Sequence, residues 1–189
     1  HCLPALDALL SGCPQVILSD NGSEDDTVEQ ARRRWPHARV LAHGRNLGFG
    51  AANNRALEQV STPFALLLNP DCDISADGVR QLIEAADVLP DAALVAPQLC
   101  SPARVPDVNY RWPSTCWLSR GPGAEGPACV GYVVGAAWLM RLSRFEGVGF
   151  FDERFFLYYE DDDLCLRLFQ HRRPMVIWPA VQAIPRSRG

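Results

Sequence analysis

An α/β domain with a mixed, mostly parallel sheet is what this sequence predicts, and three observations predict it. Short apolar runs of strand length alternate with segments of helical periodicity. The runs are stopped by Gly, Pro, Asn or Asp. Polar residues gather directly after the runs, where ligands bind in sheets of this kind. At 189 residues, 48% apolar and 21% charged, the chain has the size and composition of one globular domain.

The elements follow in order. Leu3, Leu6, Leu9 and Leu10 have helical spacing and stop at Ser11-Gly12. Residues 15–19 form a short apolar strand, ended by the turn signal Asp20-Asn21-Gly22-Ser23. Asp25 to Trp35 reads as a helix closed by Pro36, and residues 39–42 as a second strand. A loop through Gly44 to Gly48 leads to a helix over Ala51 to Val60, which Pro63 ends. Phe64 to Leu68 is a buried strand halted by Asn69-Pro70. Ser75 is a good N-cap for a helix to about Ala86, and Ala93 to Ala96 gives a further strand. From Pro97 to Cys129 the pattern dissolves into Pro, Gly, Ser and aromatics, as functional loops do. An apolar segment (Val130 to Met140), an aromatic-acidic stretch (Phe150 to Asp163), a helix to Gln170 and a strand over Met175 to Trp178 complete the chain. Residues 1–189 thus read as one domain, with 1–96 and 130–189 as its two halves and 97–129 as an irregular loop between them.

The net charge of −4 offers no basic field to recruit nucleic acid, and Arg32-Arg33-Arg34 and Arg172-Arg173 read as solvated faces. There is no lysine, so every cationic contact falls to arginine. Seven cysteines, at positions 2, 13, 72, 100, 116, 129 and 165, are odd in number and lack zinc-knuckle or redox spacing, which suits free thiols in a reducing compartment. No apolar run approaches the roughly 20 residues that span a bilayer.

Four constellations could carry chemistry. Asn69-Pro70-Asp71-Cys72-Asp73 follows the most apolar strand. Its carboxylates suit a divalent cation that keeps waters and bridges phosphates; the alternative is a turn whose Asn and Asp bond local backbone. Glu160 to Asp163 opens a helix, where the dipole alone would explain four acids. The preceding aromatics would instead set them against an apolar wall and raise a carboxylate pKa. Spacing pairs Asp163 with Arg167 and leaves Glu160 and Asp161 to face a cleft. Asp20, at a strand end, can accept from a base or ribose. Arg45 to Asn54 offers amides and a guanidinium at a helix start, a cradle for a diphosphate. Its Gly48-Phe49-Gly50 misses the dinucleotide fingerprint because Asn53 stands where the third glycine belongs, which argues against a Rossmann dehydrogenase.

In succession, Asp20-Asn-Gly-Ser, Asn46-Leu-Gly-Phe, Leu67-Leu-Asn-Pro-Asp71, Gly149-Phe-Phe-Asp-Glu153 and Tyr159-Glu-Asp-Asp-Asp-Leu-Cys-Leu-Arg167 resemble the family 2 glycosyltransferases, and among them the bacterial rhamnosyltransferase-type branch. The resemblance implies a GT-A fold, a three-layer α/β/α sandwich. It implies an inverting transfer from a nucleotide-diphosphate sugar to a glycan or lipid-linked acceptor. By it, Asp20 with Asn21 contacts the nucleoside, and Arg45, Asn46, Gly48, Asn54 and Asn69 lie near the nucleotide-sugar. Asp71 becomes the main ligand of Mg2+ or Mn2+, with Asp73 a weaker one. Asp161 becomes the catalytic base beside Glu160, and Gly135 lines the donor or acceptor site. A cytoplasmic enzyme, associated peripherally with the inner face of the membrane, follows from such acceptors.

The chain departs from the family pattern twice. It opens in the helix that follows the family's first strand, so that strand is expected to be missing. It has no His after His171, where related sequences carry one near the diphosphate; Arg186 or Arg188 could balance that charge instead. Both departures fit a degenerate relative that binds nucleotide-sugar without turnover. A nucleotidyltransferase would need a Gly-rich, basic triphosphate loop near the amino end, and none is present.

Overall fold

The computed structural model describes residue 7 and residues 15–113 and 122–186. The expected helix over residues 3–10 lies outside them, apart from Asp7. Its carboxylate pairs with Arg34 and accepts the indole N–H of Trp35 at 2.9 Å.

Strand β1 (Ile17–Asp20), helix α1 (Thr27–Arg34), strand β2 (Arg39–Ala42), helix α2 (Phe49–Leu57) and strand β3 (Phe64–Leu68) follow the sequence pattern closely. Next come β4 (Cys72–Ile74), α3 (Ala76–Val88) and β5 (Leu94–Leu99). The Ser75 hydroxyl caps α3 by accepting the Gly78 amide at 3.0 Å. Within 97–129 the chain is less irregular than expected. It finishes β5, makes a bridge between Cys100 and Pro106, forms β6 (Tyr110–Arg111) and begins β7 (Ala128–Val130). The apolar segment then breaks into β8 (Tyr132–Val133) and β9 (Ala137–Arg141), and α4 (Glu160–Gln170) leads to β10 (Met175–Pro185).

The main sheet has the order β3-β9-β5-β10-β4, with β7 also pairing β10; β1 and β2 form a parallel pair of their own. The sheet is mixed, as expected, but parallel pairing does not dominate it. Only β5–β10 and β1–β2 are parallel among the described pairs. The reason is β9, which inserts between β3 and β5 and runs against both. Strands β3 and β5 therefore point the same way without touching.

Alternation along the central strands builds a core on each face. Trp138 and Met140 of β9, Leu94 and Ala96 of β5, and Met175 and Ile177 of β10 face Leu164, Cys165 and Leu168 of α4. Their neighbours Leu139, Val95 and Val176 face Leu82, Ala85 and Ala86 of α3 and Ala31 of α1. Helices thus cover both faces, the three-layer α/β/α arrangement. The polar end of β3 lies beside the lead into β9. Among the described residues no helix is long and apolar enough to cross a membrane.

Candidate active site

Asp20 closes β1 and turns back on its own chain: its carboxylate accepts the amides of Gly22 (3.3 Å) and Ser23 (3.2 Å). This is the Asx-type turn that Asp-Asn-Gly favours. Gly22 (φ +89°) presses against the next loop, and a Cβ there would sit 2.7 Å from the Arg45 carbonyl carbon. Asn21 sews the two loops together. Its amide donates to Asn46 Oδ1 (2.8 Å) and accepts the Leu47 amide (2.8 Å), while Asn46 Oδ1 also takes the Gly48 amide (2.9 Å). Asp20, Asn21, Arg45, Asn46 and Gly48 therefore form one cluster, from which the Arg45 side chain projects into solvent.

Two expectations here need correction. The start of α2 is not an open cradle, because the Phe156 carbonyl accepts the Phe49 amide at 3.3 Å and lies where a Gly48 Cβ would stand. Asn54 does not face a ligand. It is buried in α2, where its amide exchanges two hydrogen bonds with the Phe151 backbone (2.9 and 3.1 Å). A buried amide must find such partners, and this one finds them in the chain.

At the end of β3, the Asn69 amide donates to Ala136 O (3.0 Å) and Asn69 O accepts from Cys72 (3.0 Å), forming the turn that carries Asp71. The Arg186 amide donates to Asp71 O at 2.7 Å, and its guanidinium bonds Asp73 Oδ2 at 2.6 Å. Asp73 is thus held by an arginine from the end of β10. Between them, Cys72 is buried and its thiol is pushed up to about 12 by burial and the two flanking carboxylates. It is an inert thiol. A groove of about 530 Å³ runs from the Asp73–Arg186 pair past Ser75, Gln81, Arg104 and Gln182.

The acids of α4 separate into three roles. Asp163 pairs with Arg167 at 2.8 Å, and the same guanidinium donates to Val148 O (2.8 Å) and Phe150 O (2.6 Å), a structural clamp as its spacing suggests. Glu160 does not face the cleft: it is 7% exposed, with Oε2 buried and unpartnered, and burial raises its pKa, helped by the charges of Asp161 and Asp162. Burial likewise raises Asp162. The aromatics expected to wall these acids are themselves in solvent, Phe156, Tyr158 and Tyr159 being 55–69% exposed. The burial comes instead from β8, against which α4 packs.

Asp161 is half-buried and firmly held. Its Oδ2 accepts the Tyr132 hydroxyl (3.0 Å) and the Gly135 amide (3.1 Å), and its Oδ1 accepts the Asp162 amide (2.9 Å). Gly135 backs this carboxylate closely, since a Cβ would lie 3.3 Å from Asp161 Cβ. Because Leu68 pairs with Ala137 and Asn69 bonds Ala136, the Asp71 turn sits beside the 134–136 segment that holds Asp161. Residues 69–71, Gly135 and Asp161 are thereby brought together. Tyr132 is not legible in the sequence, because a tyrosine inside an apolar run carries no motif; Arg186 is singled out there for the diphosphate, and its bond to Asp73, far away in sequence, is not. Arg188 lies outside the described residues.

Known proteins of similar sequence and shape identify the family and the fold. The family description Glycosyl transferase family 2 matches residues 5–146. N-acetylglucosaminyl-diphospho-decaprenol L-rhamnosyltransferase of Mycobacterium tuberculosis is 33% identical over 186 residues, covering 81% of this chain and 60% of its own length. The chain thus spans 60% of that relative's length. Among solved structures, GalNAc-T7 with UDP, GalNAc and Mn2+ superposes with a TM-score of 0.75 at 12% identity, over 94% of this chain and 39% of that one. The mannosyltransferase PcManGT of Pyrobaculum calidifontis, with GDP-Man and Mn2+, gives 0.69 at 14% identity over 96% and 52%. These two likenesses show the GT-A fold. With the family matched over most of its residues and a curated relative at 33% identity, the chain belongs to glycosyl transferase family 2.

Proposed function

We propose that this glycosyltransferase domain moves one sugar, rhamnose in the first instance, from a nucleoside diphosphate to a hydroxyl of a lipid-linked or glycan acceptor, with inversion at the anomeric carbon. One observation carries the reading: the Asn69–Ala136 bond seats the Asp71 turn beside Gly135, and Gly135 holds Asp161. In this reading the carboxylate of that turn and Asp161, fixed by three hydrogen bonds, serve one site.

In this reading Asp161 accepts the proton of the attacking acceptor hydroxyl. Asp20, Asn21, Arg45 and Asn46 line the nucleotide side. Mg2+ or Mn2+ keeps most of its waters and takes phosphate oxygens, so one or two carboxylates suffice to hold it. Asp71 meets that need; among the described residues there is no closed cage of three ligands. Asp73 would assist only by giving up Arg186. A bound cation supplies charge neutralisation on the departing diphosphate. Mn2+ in the two solved neighbours supports this assignment. The relative's diphospho-decaprenol acceptor supports a lipid-linked substrate, and with it work at the cytoplasmic face of the membrane by peripheral association.

A non-catalytic nucleotide-sugar binder is the second reading, favoured by the arginine already seated on Asp73. Transfer assays separate the two. The protein with Mn2+, dTDP-rhamnose and N-acetylglucosaminyl-diphospho-polyprenol is expected to form a disaccharide. Asp161→Asn is expected to lower kcat by about 10²–10⁴-fold with donor affinity, read by thermal shift, unchanged. Binding without turnover in the parent would leave the second reading standing.

A further inference from the structure

We infer that Tyr132 is the positioning residue for Asp161, and that Oδ1 of Asp161 is the atom that receives the acceptor proton. The inference rests on the proposed role of Asp161 as base and goes beyond it to the residue that aims that base.

Asp161 Oδ2 accepts from Tyr132 Oη at 3.0 Å and from the Gly135 amide at 3.1 Å. A carboxylate oxygen has about two lone-pair directions, so both of its sites are taken. Oδ1 accepts the Asp162 amide at 2.9 Å, and the Asp162 carboxyl lies within hydrogen-bonding reach of the same carboxylate. Of the two oxygens, Oδ1 therefore carries fewer fixed N–H and O–H donors and is the one left to face a substrate.

Tyr132 is well placed to impose this. It is 9% exposed and lies in β8, which pairs with β6 through Arg111↔Tyr132, and the Arg111 guanidinium stands 5.6 Å from its ring centroid. Burial, reinforced by the charge of Asp161, raises the phenol pKa and keeps it a donor. Gly135 completes the grip from a backbone with little room for a side chain, its imagined Cβ standing 3.3 Å from Asp161 Cβ and 3.7 Å from Trp138 Cζ2. One oxygen is pinned from two directions, which fixes the plane of the carboxylate and the aim of the other.

The step balances. The acceptor O–H bond breaks and its proton goes to Oδ1. The hydroxyl oxygen bonds the anomeric carbon, and the bond from that carbon to the diphosphate oxygen breaks with its electron pair on the nucleoside diphosphate.

The test is Tyr132→Phe, which keeps the ring and removes the donor. With dTDP-rhamnose, Mn2+ and N-acetylglucosaminyl-diphospho-polyprenol, kcat should fall roughly tenfold or more, since small losses of aim are costly. Donor KM and the dTDP-rhamnose thermal shift should stay at parent values. In the Asp161→Asn background the same change should cost nothing further, because residues acting as a unit are non-additive. Gly135→Ala, which pushes Asp161 from the other side, should lower kcat in the same selective way. A parent-like kcat in Tyr132→Phe overturns the inference. So does a loss of donor affinity in step with kcat, or a further loss on top of Asp161→Asn. If Asp161→Asn itself turns over normally, or the parent transfers nothing, the proposed function falls and the inference with it.

Discussion

Glu160 and Asp161 are neighbours in sequence and opposites in circumstance. Asp161 has three donors around its carboxylate, whereas Glu160 is buried with one oxygen unpartnered. A buried, unmatched carboxyl costs stability once ionised. The sign follows from linkage: with its folded pKa raised above 4.5, Glu160 favours the fold below that pH and loses the contribution as pH rises through the folded value. Glu160→Gln should therefore melt above the parent at neutral pH, and the gap should close as pH falls toward 4.5. The comparison with the variant matters because acids such as Asp152 and Asp77, lowered by arginine partners, slope the other way in both proteins. A gap in melting temperature that ignores pH would show that Glu160 is matched by some group. At this scale the sequence was partly readable. Consecutive acids after an aromatic run flagged the site, but which acid would be held and which stranded depends on β8 and the 134–136 segment, more than twenty residues upstream.

Elements bounded by strong punctuation were legible to the residue. Strands β2 and β3 run over 39–42 and 64–68, as the flanking loop signals and prolines indicate. The strand expected over Met175 to Trp178 continues instead to Pro185, past an irregularity between Trp178 and Gln182. A bulge lets a proline sit in a strand without a ladder bond, and no local pattern announces that. Helix α4 supplies a test of what anchors an element. Arg167, about a quarter exposed, ties Asp163 to two loop carbonyls, while Arg80 on α3 pairs with Asp77 and Glu84 in open solvent. Arg167→Met should cost about 2–3 kcal/mol in urea unfolding, since half-buried partners are left unmatched. Arg80→Met should fall within about 0.5 kcal/mol of the parent. Equal losses would mean that burial is not what gives the α4 clamp its strength.

Across the whole molecule, the sheet order interleaves the two stretches that the sequence suggested as halves. Strand β9 stands between β3 and β5, and β10 between β5 and β4, so the main sheet belongs to neither stretch alone. Trp138 reports the core on one face and Trp35 that on the other, and both are buried. Unfolding followed in Trp138→Phe and in Trp35→Phe, each by fluorescence and by circular dichroism, should give coincident transitions within each variant. Separate transitions would reveal two independent units. The alternation of short runs made the α/β class plain from the start, but the antiparallel insertion of β9 was hidden, because a strand's direction is set by the path of its connections.

The meeting of Gly48 with the Phe156 carbonyl has a consequence for engineering. Gly48 and Phe49, in the loop proposed to line the nucleotide side, rest directly on the loop leading into the helix of the candidate base. A transplanted loop bearing any side chain at position 48 would strike that backbone. Redesign of donor preference and of acceptor preference in this scaffold is therefore one problem, and libraries that vary the two regions jointly should outperform those that vary either alone.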